Sequence, residues 1–246
     1  MTIMRNIPAL ALLLLMPLFA SAQLSVEYTP GYGIYTQKGD LQKLLDTKLQ
    51  AILPVLPNAK IVADFPNYFT HTFGLNYVYN REEFGFQITR MSTGGKIAYS
   101  DYSGTYTNKL TLSGVRIGTR YRYDYKDLLF KGKQKLILFW ELSPGVIVSS
   151  LKHSVYSEYP SKTVTESNNP DYSSTVFSLL PQMGVRTSYG RFGFHALAGY
   201  DLEFGGKLDN GYHTKISWMG LRVGIGFSYT FPPRKEKPKV KDEEID

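Results

Sequence analysis

The sequence contains no cysteine, which excludes both a disulfide framework and a thiolate metal site. Only four histidines are present, and they do not cluster. The chain also lacks a G-x-S-x-G motif and a phosphate-binding loop. After residue 22, no apolar run approaches the roughly 20 residues that a membrane-spanning helix needs. We therefore predict no catalytic residue, no cofactor, no metal site and no membrane-spanning helix in the mature chain.

The N-terminus has the three parts of a secretory signal peptide. Arg5 precedes an apolar run over 7–19, and the small residues Ala20-Ser21-Ala22 follow as a cleavage site. The run is too short to span a membrane. We predict a signal peptide over 1–22, with cleavage between Ala22 and Gln23. The mature protein is therefore expected to be exported.

The charge of the chain is positive, with a formal net value of +7. Removal of the signal peptide would lower it to +6, and the basic and acidic residues of 232–246 cancel. The surplus therefore lies within 23–231. No nucleic-acid-binding motif is present, and an exported chain seldom meets nucleic acid. We expect the surplus to favour anionic lipid headgroups instead.

Tyrosine, phenylalanine and glycine number 19, 14 and 22, a composition that favours strands over helices. Alternation of apolar and polar residues predicts eight strands, over 24–35, 68–80, 84–94, 109–125, 135–150, 174–189, 191–205 and 214–231. Short turns alternate with long loops, and the long loops cover 36–67, 95–108, 151–173 and 206–213. This rhythm is typical of an up-and-down outer-membrane barrel. An even number of strands would place both termini on the periplasmic side.

The two faces of the predicted strands differ in polarity. In strand 109–125, one face is aliphatic and aromatic, whereas the other carries Gly114, Arg116, Gly118, Arg120, Arg122 and Asp124. Such alternation also fits a soluble sandwich or a lipocalin-like barrel, but the signal peptide and the size of the apolar face favour a lipid-facing barrel. We predict an all-β fold, an eight-stranded antiparallel up-and-down transmembrane β-barrel over 23–231 with a short helix in the first outer loop.

The last predicted strand ends with aromatic residues at alternate positions, Phe227, Tyr229 and Phe231. This row resembles the C-terminal signal by which the barrel assembly machinery recognises outer-membrane barrels. In many such barrels the last aromatic residue ends the chain, whereas here Pro232-Pro233 end the strand and charged residues follow. We predict that 232–246 form a disordered periplasmic tail.

The signal peptide, the alternation over 24–231, the terminal GFSYTF and the Gln after the cleavage site together resemble the small outer-membrane β-barrel family common in the Bacteroidetes. PorT-like proteins of the type IX secretion system are among its members. The resemblance covers nearly the whole mature chain and implies the barrel fold and an outer-membrane location. It implies no particular activity, because the family is broad.

The interior of an eight-stranded barrel is just wide enough for side chains to fill. The predicted inward positions include five arginines and five acids, namely Glu27, Arg116, Arg120, Arg122, Asp124, Glu141, Arg186, Asp201, Glu203 and Arg222. Because buried charges must be paired, we predict a salt-bridge network that plugs the lumen. The alternative is a narrow ion path along the same groups, which would make the protein a small passive channel.

Two histidine–serine combinations leave an enzymatic alternative open. Small-barrel lipid A acyltransferases and deacylases use a histidine with a serine near the outer leaflet, and His213 with Ser217 or His153 with Ser154 could imitate such a pair. Sequence spacing does not establish the oriented base that this chemistry requires. We interpret the protein as non-enzymatic, a structural or accessory component of an envelope or secretion complex that lies in outer-membrane lipid.

The first long loop contains leucines at helical spacing, which predicts a helix over 41–53. Asp40 could cap its start, and Pro54 ends it. This helix would either pack over the barrel mouth or dock a partner protein of the envelope.

A second local pattern, Gly94-Gly95, predicts a turn.

Overall fold

The computed structural model of the protein describes residues 23–36, 38–129, 135–159, 162–166, 172–205 and 216–232. The signal peptide up to Ala22, residue His213 and the tail from 233 onwards therefore lie outside the described residues. Gln23, the first residue after the expected cleavage site, is the first residue of a strand.

Ten strands and one helix make up the described part of the chain. In chain order they are β1 Gln23–Tyr35, α1 Gly39–Ile52, β2 Lys60–Ala63, β3 Tyr68–Tyr79, β4 Glu82–Asp101, β5 Gly104–Leu129, β6 Lys135–Tyr159, β7 Lys162–Glu166, β8 Tyr172–Tyr189, β9 Phe192–Gly205 and β10 Gly220–Thr230. Eight of the strands form a closed antiparallel ring in the order β1, β3, β4, β5, β6, β8, β9 and β10. The predicted eight-stranded up-and-down barrel is thus confirmed.

The ring closes where the first strand meets the last. β1 pairs with β10 from Ser25 opposite Thr230 to Tyr35 opposite Gly220. The pairing extends one residue beyond β10, since the backbone N–H of Phe231 donates to the carbonyl of Leu24 over 2.8 Å. Closure leaves no unpaired edge in the ring, because every strand has two neighbours.

The two ends of the barrel are built differently. At the end where β1 begins and β10 stops, here called the terminal end, the two described connections, between β3 and β4 and between β8 and β9, are tight turns. Asn80, with φ of 54°, and Gly190, with φ of 62°, adopt the left-handed backbone that such turns require. The longer connections and the helix all lie at the opposite end, here called the loop end. This asymmetry agrees with the predicted alternation of short and long connections.

Three strands continue past the ring at the loop end, where loops were expected. β4 and β5 stay paired up to Asp101 opposite Gly104, and β6 runs to Tyr159 and pairs with β7. The predicted loops 95–108 and 151–173 are therefore largely strand, and Gly94-Gly95 lies within β4 and not in a turn. The alternation is weak here because serine, threonine and lysine occupy one face and glycine interrupts the other. Strands β2, β4, β5, β6 and β7 together form what we call the extension sheet.

The helix packs on the inner side of the extension sheet. Leu41 and Leu45 are buried in one apolar cluster with Ile97 and Phe65. Gly95 permits this approach, because a Cβ atom there would lie 2.8 Å from Phe65 and 3.1 Å from Leu45. The predicted cap was wrong, since the N-cap position is Lys38 without a side-chain hydrogen bond and Asp40 lies in the first turn. Among the described residues, no helix has both the length and the hydrophobicity to cross a membrane.

The outer surface of the ring is apolar on all eight strands. Large side chains such as Phe69, Ile225 and Phe73 are 72%, 68% and 61% exposed. Aromatic residues are frequent towards both ends of this surface, among them Tyr79, Tyr189, Phe192 and Phe231 at the terminal end and Phe69, Phe177 and Phe204 nearer the loop end. We call this surface the apolar belt. Apolar side chains thus cover the outside of the ring, whereas a soluble protein places them mainly inside.

We predict that Leu45→Ala will loosen α1 without opening the barrel. Truncating a fully buried leucine costs about 2–5 kcal/mol, and here the loss falls on the contact between the helix and the extension sheet. Trypsin should then cleave faster at Lys43 and Lys48 in α1, while the folded barrel keeps its heat-modifiable mobility on gels. Leu75→Ala on the apolar belt is the control and should leave both readouts unchanged. Equal cleavage rates in Leu45→Ala and wild type would contradict this packing.

Candidate functional site

The barrel interior gathers charged side chains from seven strands. Because successive residues of a strand point to opposite faces, the residues between the belt positions of the ring point inward. Nine of the ten predicted lumen residues are buried, and Arg186 is partly exposed. The nine are Glu27, Arg116, Arg120, Arg122, Asp124, Glu141, Asp201, Glu203 and Arg222. They do not form a single network, however, and divide into two groups.

Glu27 of β1 is the centre of the first group, which we call the charge cluster. One of its carboxylate oxygens accepts a hydrogen bond from Arg120 at 2.6 Å, and the other accepts one from Arg122 at 3.0 Å. Arg120 and Arg122 are neighbours on the inner face of β5, so both can reach across the lumen to β1. Charge-assisted hydrogen bonds of this kind are about twice as strong as neutral ones. The cluster thus ties opposite walls of the barrel together.

Arg122 also connects the cluster to β6. Its Nε and Nη2 atoms lie 2.9 and 2.8 Å from the same oxygen of Glu141. The guanidinium carbon lies 4.5 Å from the centre of the Phe139 ring, a distance suited to a cation–π contact. The positive charge of Arg122 is therefore compensated on three sides, and its side chain is buried.

Glu83 belongs to the charge cluster although sequence reasoning assigned it to a turn. Its carboxylate accepts hydrogen bonds from Arg186 at 2.9 Å and from Arg122 at 3.4 Å. Arg186 forms a further ion pair with Asp124. The alternation of β4 could have identified Glu83, since Gly85 and Gln87 follow it on the buried face at intervals of two. Glu83 adds a sixth acid to the five that were expected to balance five arginines.

His195 of β9 completes the cluster. Its Nε2 atom lies 2.9 Å from the hydroxyl of Thr29 and 3.4 Å from a carboxylate oxygen of Glu27. Beyond it, towards the terminal end, a cavity of about 210 Å³ reaches Arg186, Arg122 and Glu83 from the barrel mouth. The cluster therefore forms the floor of a short vestibule at the terminal end.

The second group of charges lies nearer the loop end. Arg222 of β10 pairs with Asp201 of β9. Glu203 accepts hydrogen bonds from the hydroxyl of Ser217 and the backbone N–H of Trp218, both at 2.9 Å. These bonds hold the segment before β10 across the lumen, so that Trp218 enters the barrel.

Apolar side chains fill the interior around Trp218. The indole donates to Ser149 at 2.8 Å and packs edge-on against Tyr68 and face-on against Tyr35. Other members of this apolar plug are Met91, Leu110, Leu112, Ile147, Leu151, Val176 and Ile216. Apolar side chains therefore fill part of the lumen, in addition to the charged residues that the sequence predicted there. Because α1 and the extension sheet exclude water at the loop end, apolar residues are favoured there.

Arg116 lies between the two groups and differs from the other arginines. The Nε of Arg116 donates to the hydroxyl of Ser178 at 2.7 Å. Its Nη2 donates to the hydroxyl of Ser143 at 3.0 Å and also to the backbone carbonyl of Ser143. Within the described residues it makes no ion pair within 4 Å. The prediction that Arg116 is inward was right, but its partners are hydroxyl and carbonyl oxygens and not a carboxylate.

The remaining space inside the barrel is very small. A cavity of about 30 Å³ is enclosed between the charge cluster and the apolar plug, lined by Thr29, Thr72, Gln87, Arg120, Glu141 and Arg222 among others. This volume holds one or two water molecules. The charge cluster and the apolar plug therefore leave little space between them in the described part of the lumen.

The histidine–serine combinations do not form a catalytic arrangement in the described residues. His153 faces Asn108, whose side-chain oxygen is 2.8 Å from Nε2, whereas Ser154 is on the opposite face of β6. Burial and nearby Lys48 lower the pKa of His153. Ser217 is engaged by Glu203, and His213 lies outside the described residues. The described chain also contains no group of three or more acidic or histidine side chains able to hold a metal ion.

Comparison with known proteins gives only weak structural similarities, to small β-barrel proteins. No family model and no curated protein matches the chain. Neisserial surface protein A is 16% identical over 85% of this chain and 97% of its own, with a TM-score of 0.44. Ail, the attachment invasion locus protein of Yersinia pestis, solved with the heparin analogue sucrose octasulfate, is 14% identical over 86% and 99%, with a TM-score of 0.33. With similarities this low, function must be inferred from the chain's own geometry.

We predict that Glu27→Ala will strongly destabilise the barrel. The change removes one acid that Arg120 and Arg122 share and leaves them with Glu83 and Glu141. Breaking a buried ion pair costs on the order of 3–5 kcal/mol. The adjacent Val26→Ala, on the apolar belt, removes a side chain that lipid or detergent can replace and should cost much less. The measurement is the free energy of unfolding in detergent micelles. Equal stabilities of the two variants would show that Glu27 does not organise the cluster.

Proposed function

We propose that the protein is an outer-membrane β-barrel with a closed lumen, and that it acts as a non-enzymatic structural or accessory component of an envelope complex. The observation that carries this proposal is the apolar belt around a closed ring whose interior holds the charges. Soluble monomers seldom expose contiguous apolar patches above about 300–600 Å². A belt on all eight strands is stable only where lipid covers it.

The terminal end is proposed to face the periplasm. Tight turns at one end and long connections at the other match the usual arrangement of bacterial outer-membrane barrels. The predicted signal peptide and the charged tail both fit this orientation, because export delivers the chain from the periplasmic side. The extension sheet and α1 would then stand outside the outer leaflet.

A structural role is favoured over a passive channel by the way the lumen is filled. Paired charges occupy the terminal half and the apolar plug occupies the loop half, and together they leave room for one or two waters. An ion would have to displace both layers to pass. The resemblance to PorT-like barrels adds the suggestion that the protein belongs to a secretion or envelope assembly.

A partner protein would meet the parts that project from the loop end. The apolar stripe of α1 is already used against the extension sheet, where Leu41 and Leu45 are buried. A partner that docks on α1 would therefore contact its polar side, which includes Lys43, Asp46 and Gln50. Co-purification from native membranes, with and without substitutions on that side, would identify such a partner.

We predict that the purified protein will show no discrete conductance steps in planar bilayers. Both layers of the lumen filling block an ion, so current should stay at the level of the bare bilayer. Heat-modifiable mobility of the reconstituted sample is the control that the barrel is folded and inserted. Reproducible single-channel steps from such a sample would support the channel alternative instead.

We also predict that Phe231→Asp will impair assembly into the outer membrane. The charge itself should cost only about 0–1 kcal/mol near the interface, so a large defect would reflect lost recognition of the terminal aromatic row by the assembly machinery. Phe192→Asp is the matched control, because Phe192 lies on the same girdle against Tyr229 but outside the last strand. The measurement is the folded fraction in outer membranes. Equal defects in both variants would argue against a terminal assembly signal.

A further inference from the structure

The outward face of the extension sheet carries a row of four lysines, one on each of four neighbouring strands. Lys96 of β4 is directly opposite Lys109 of β5. Lys60 of β2 is opposite Ala98, two residues from Lys96 on the same face. Lys152 of β6 is opposite Thr111, two residues from Lys109. Each lysine therefore has another as its direct or diagonal neighbour, at separations of roughly 5–8 Å between Cβ atoms.

Among the residues that the structure describes, no carboxylate pairs with this lysine row. The other outward positions of β4, β5 and β6 around it are mostly serine and threonine, namely Ser92, Ser100, Thr105, Thr107, Thr111, Ser113, Ser150 and Ser154. Of the described acids, Glu158 is the one on this face of β6, and its carboxylate accepts a hydrogen bond from the hydroxyl of Tyr156 at the outer end. Within the described residues, none of the four lysines forms an ion pair. Like charges directly opposite one another destabilise a sheet, so the row is unfavourable unless an external anion lies against it.

The height of the lysine row above the apolar belt identifies the kind of anion. Val148 of β6 is one of the last belt residues towards the loop end. Lys152 is four residues further along β6, about 10 Å higher for a strand tilted by about 40°. Lys60 is in register with Tyr156, eight residues beyond Val148. Because the strands are tilted, each step from β6 towards β5, β4 and β2 lowers the in-register residue by about 3 Å, so Lys60 also lies about 10 Å above Val148.

The lysine row therefore lies at one height, just above the apolar belt. A lipid headgroup layer adds about 5–8 Å to each side of the hydrocarbon core, and lysine side chains that bend towards the membrane can reach its phosphates. The serines and threonines around the row favour a headgroup that also carries hydroxyl groups. A glycolipid with a phosphorylated saccharide headgroup supplies both phosphates for the lysines and hydroxyl groups for the neighbouring serines and threonines.

We propose that the lysine row binds the phosphate groups of glycolipid headgroups in the outer leaflet. The inference rests on the proposed outer-membrane location. Phosphates between the lysines replace like-charge repulsion by attraction, and the belt positions the same lipid's acyl chains below. The row would thereby hold glycolipid molecules against one side of the barrel, along β2, β4, β5 and β6.

The test compares lipid binding by wild type and by the triple variant Lys96→Gln, Lys109→Gln and Lys152→Gln. Diphosphorylated lipid A is titrated into zwitterionic detergent micelles that contain the purified full-length protein, and bound lipid is counted by native mass spectrometry. Each lysine near a membrane surface contributes roughly fivefold to anion affinity, so the triple variant should bind about 100-fold more weakly. Fully dephosphorylated lipid A should bind wild type and variant equally weakly.

A second triple variant, Lys43→Gln, Lys126→Gln and Lys135→Gln, has the same net charge with the neutralised lysines elsewhere, and should bind like wild type. The row variant should also unfold at the same or a higher temperature than wild type in micelles without lipid A, because it relieves repulsion. Equal lipid A binding by the row variant and wild type would overturn the proposal. So would tighter binding of soluble inositol hexakisphosphate than of lipid A, which would indicate a soluble polyanion.

The experiment distinguishes a failure of the glycolipid proposal from a failure of the proposed function. If the protein fractionates with outer membranes but the row variant binds lipid A normally, the glycolipid site is wrong and the barrel location stands. If the wild-type protein is recovered in the soluble periplasm, the location is wrong and the glycolipid proposal fails with it.

Discussion

The narrowness of an eight-stranded ring is the constraint on which the rest of the structure depends. Such a ring encloses only as much space as side chains can fill. With an apolar outer surface, a charge on the ring strands at belt height is favoured inside that space, where it requires a partner. Glu27 meets this requirement by joining Arg120 and Arg122 across the lumen at 2.6 and 3.0 Å. The pairing satisfies the charges and closes the barrel at the same time.

The interior nevertheless changes character along its axis. At the terminal end it is open to water through the vestibule, and charged groups can be partly solvated there, as Arg186 is. At the loop end, α1 and the extension sheet cover the mouth, and the lining becomes apolar around Trp218. Arg116 lies between the two regions and uses serine oxygens as partners. A barrel sealed by two unlike layers is better suited to a fixed structural role than to conduction.

The extension sheet distinguishes the loop end of the barrel from the terminal end. Its inner face is used by α1, through Leu45 and the close approach at Gly95. Its outer face is polar and carries the lysine row. The same five strands therefore support two different surfaces, one that seals the barrel and one that meets the surroundings. This separation explains why a helix with an apolar stripe need not be a docking helix.

The sequence by itself determined which residues face inward and which face outward, because the period of a strand is two and does not depend on its neighbours. The alternation and the turn residues predicted eight ring strands, the lumen residues and the outward aromatic row of β10. Tertiary structure alone decided which inward residues meet. Glu83 joins the cluster because the register of β4 brings it opposite Arg122, and Arg116 lacks an acid because Ser143 and Ser178 lie nearest. The lysine row was equally invisible in the sequence, since Lys60, Lys96, Lys109 and Lys152 become neighbours only through the pairing of four strands.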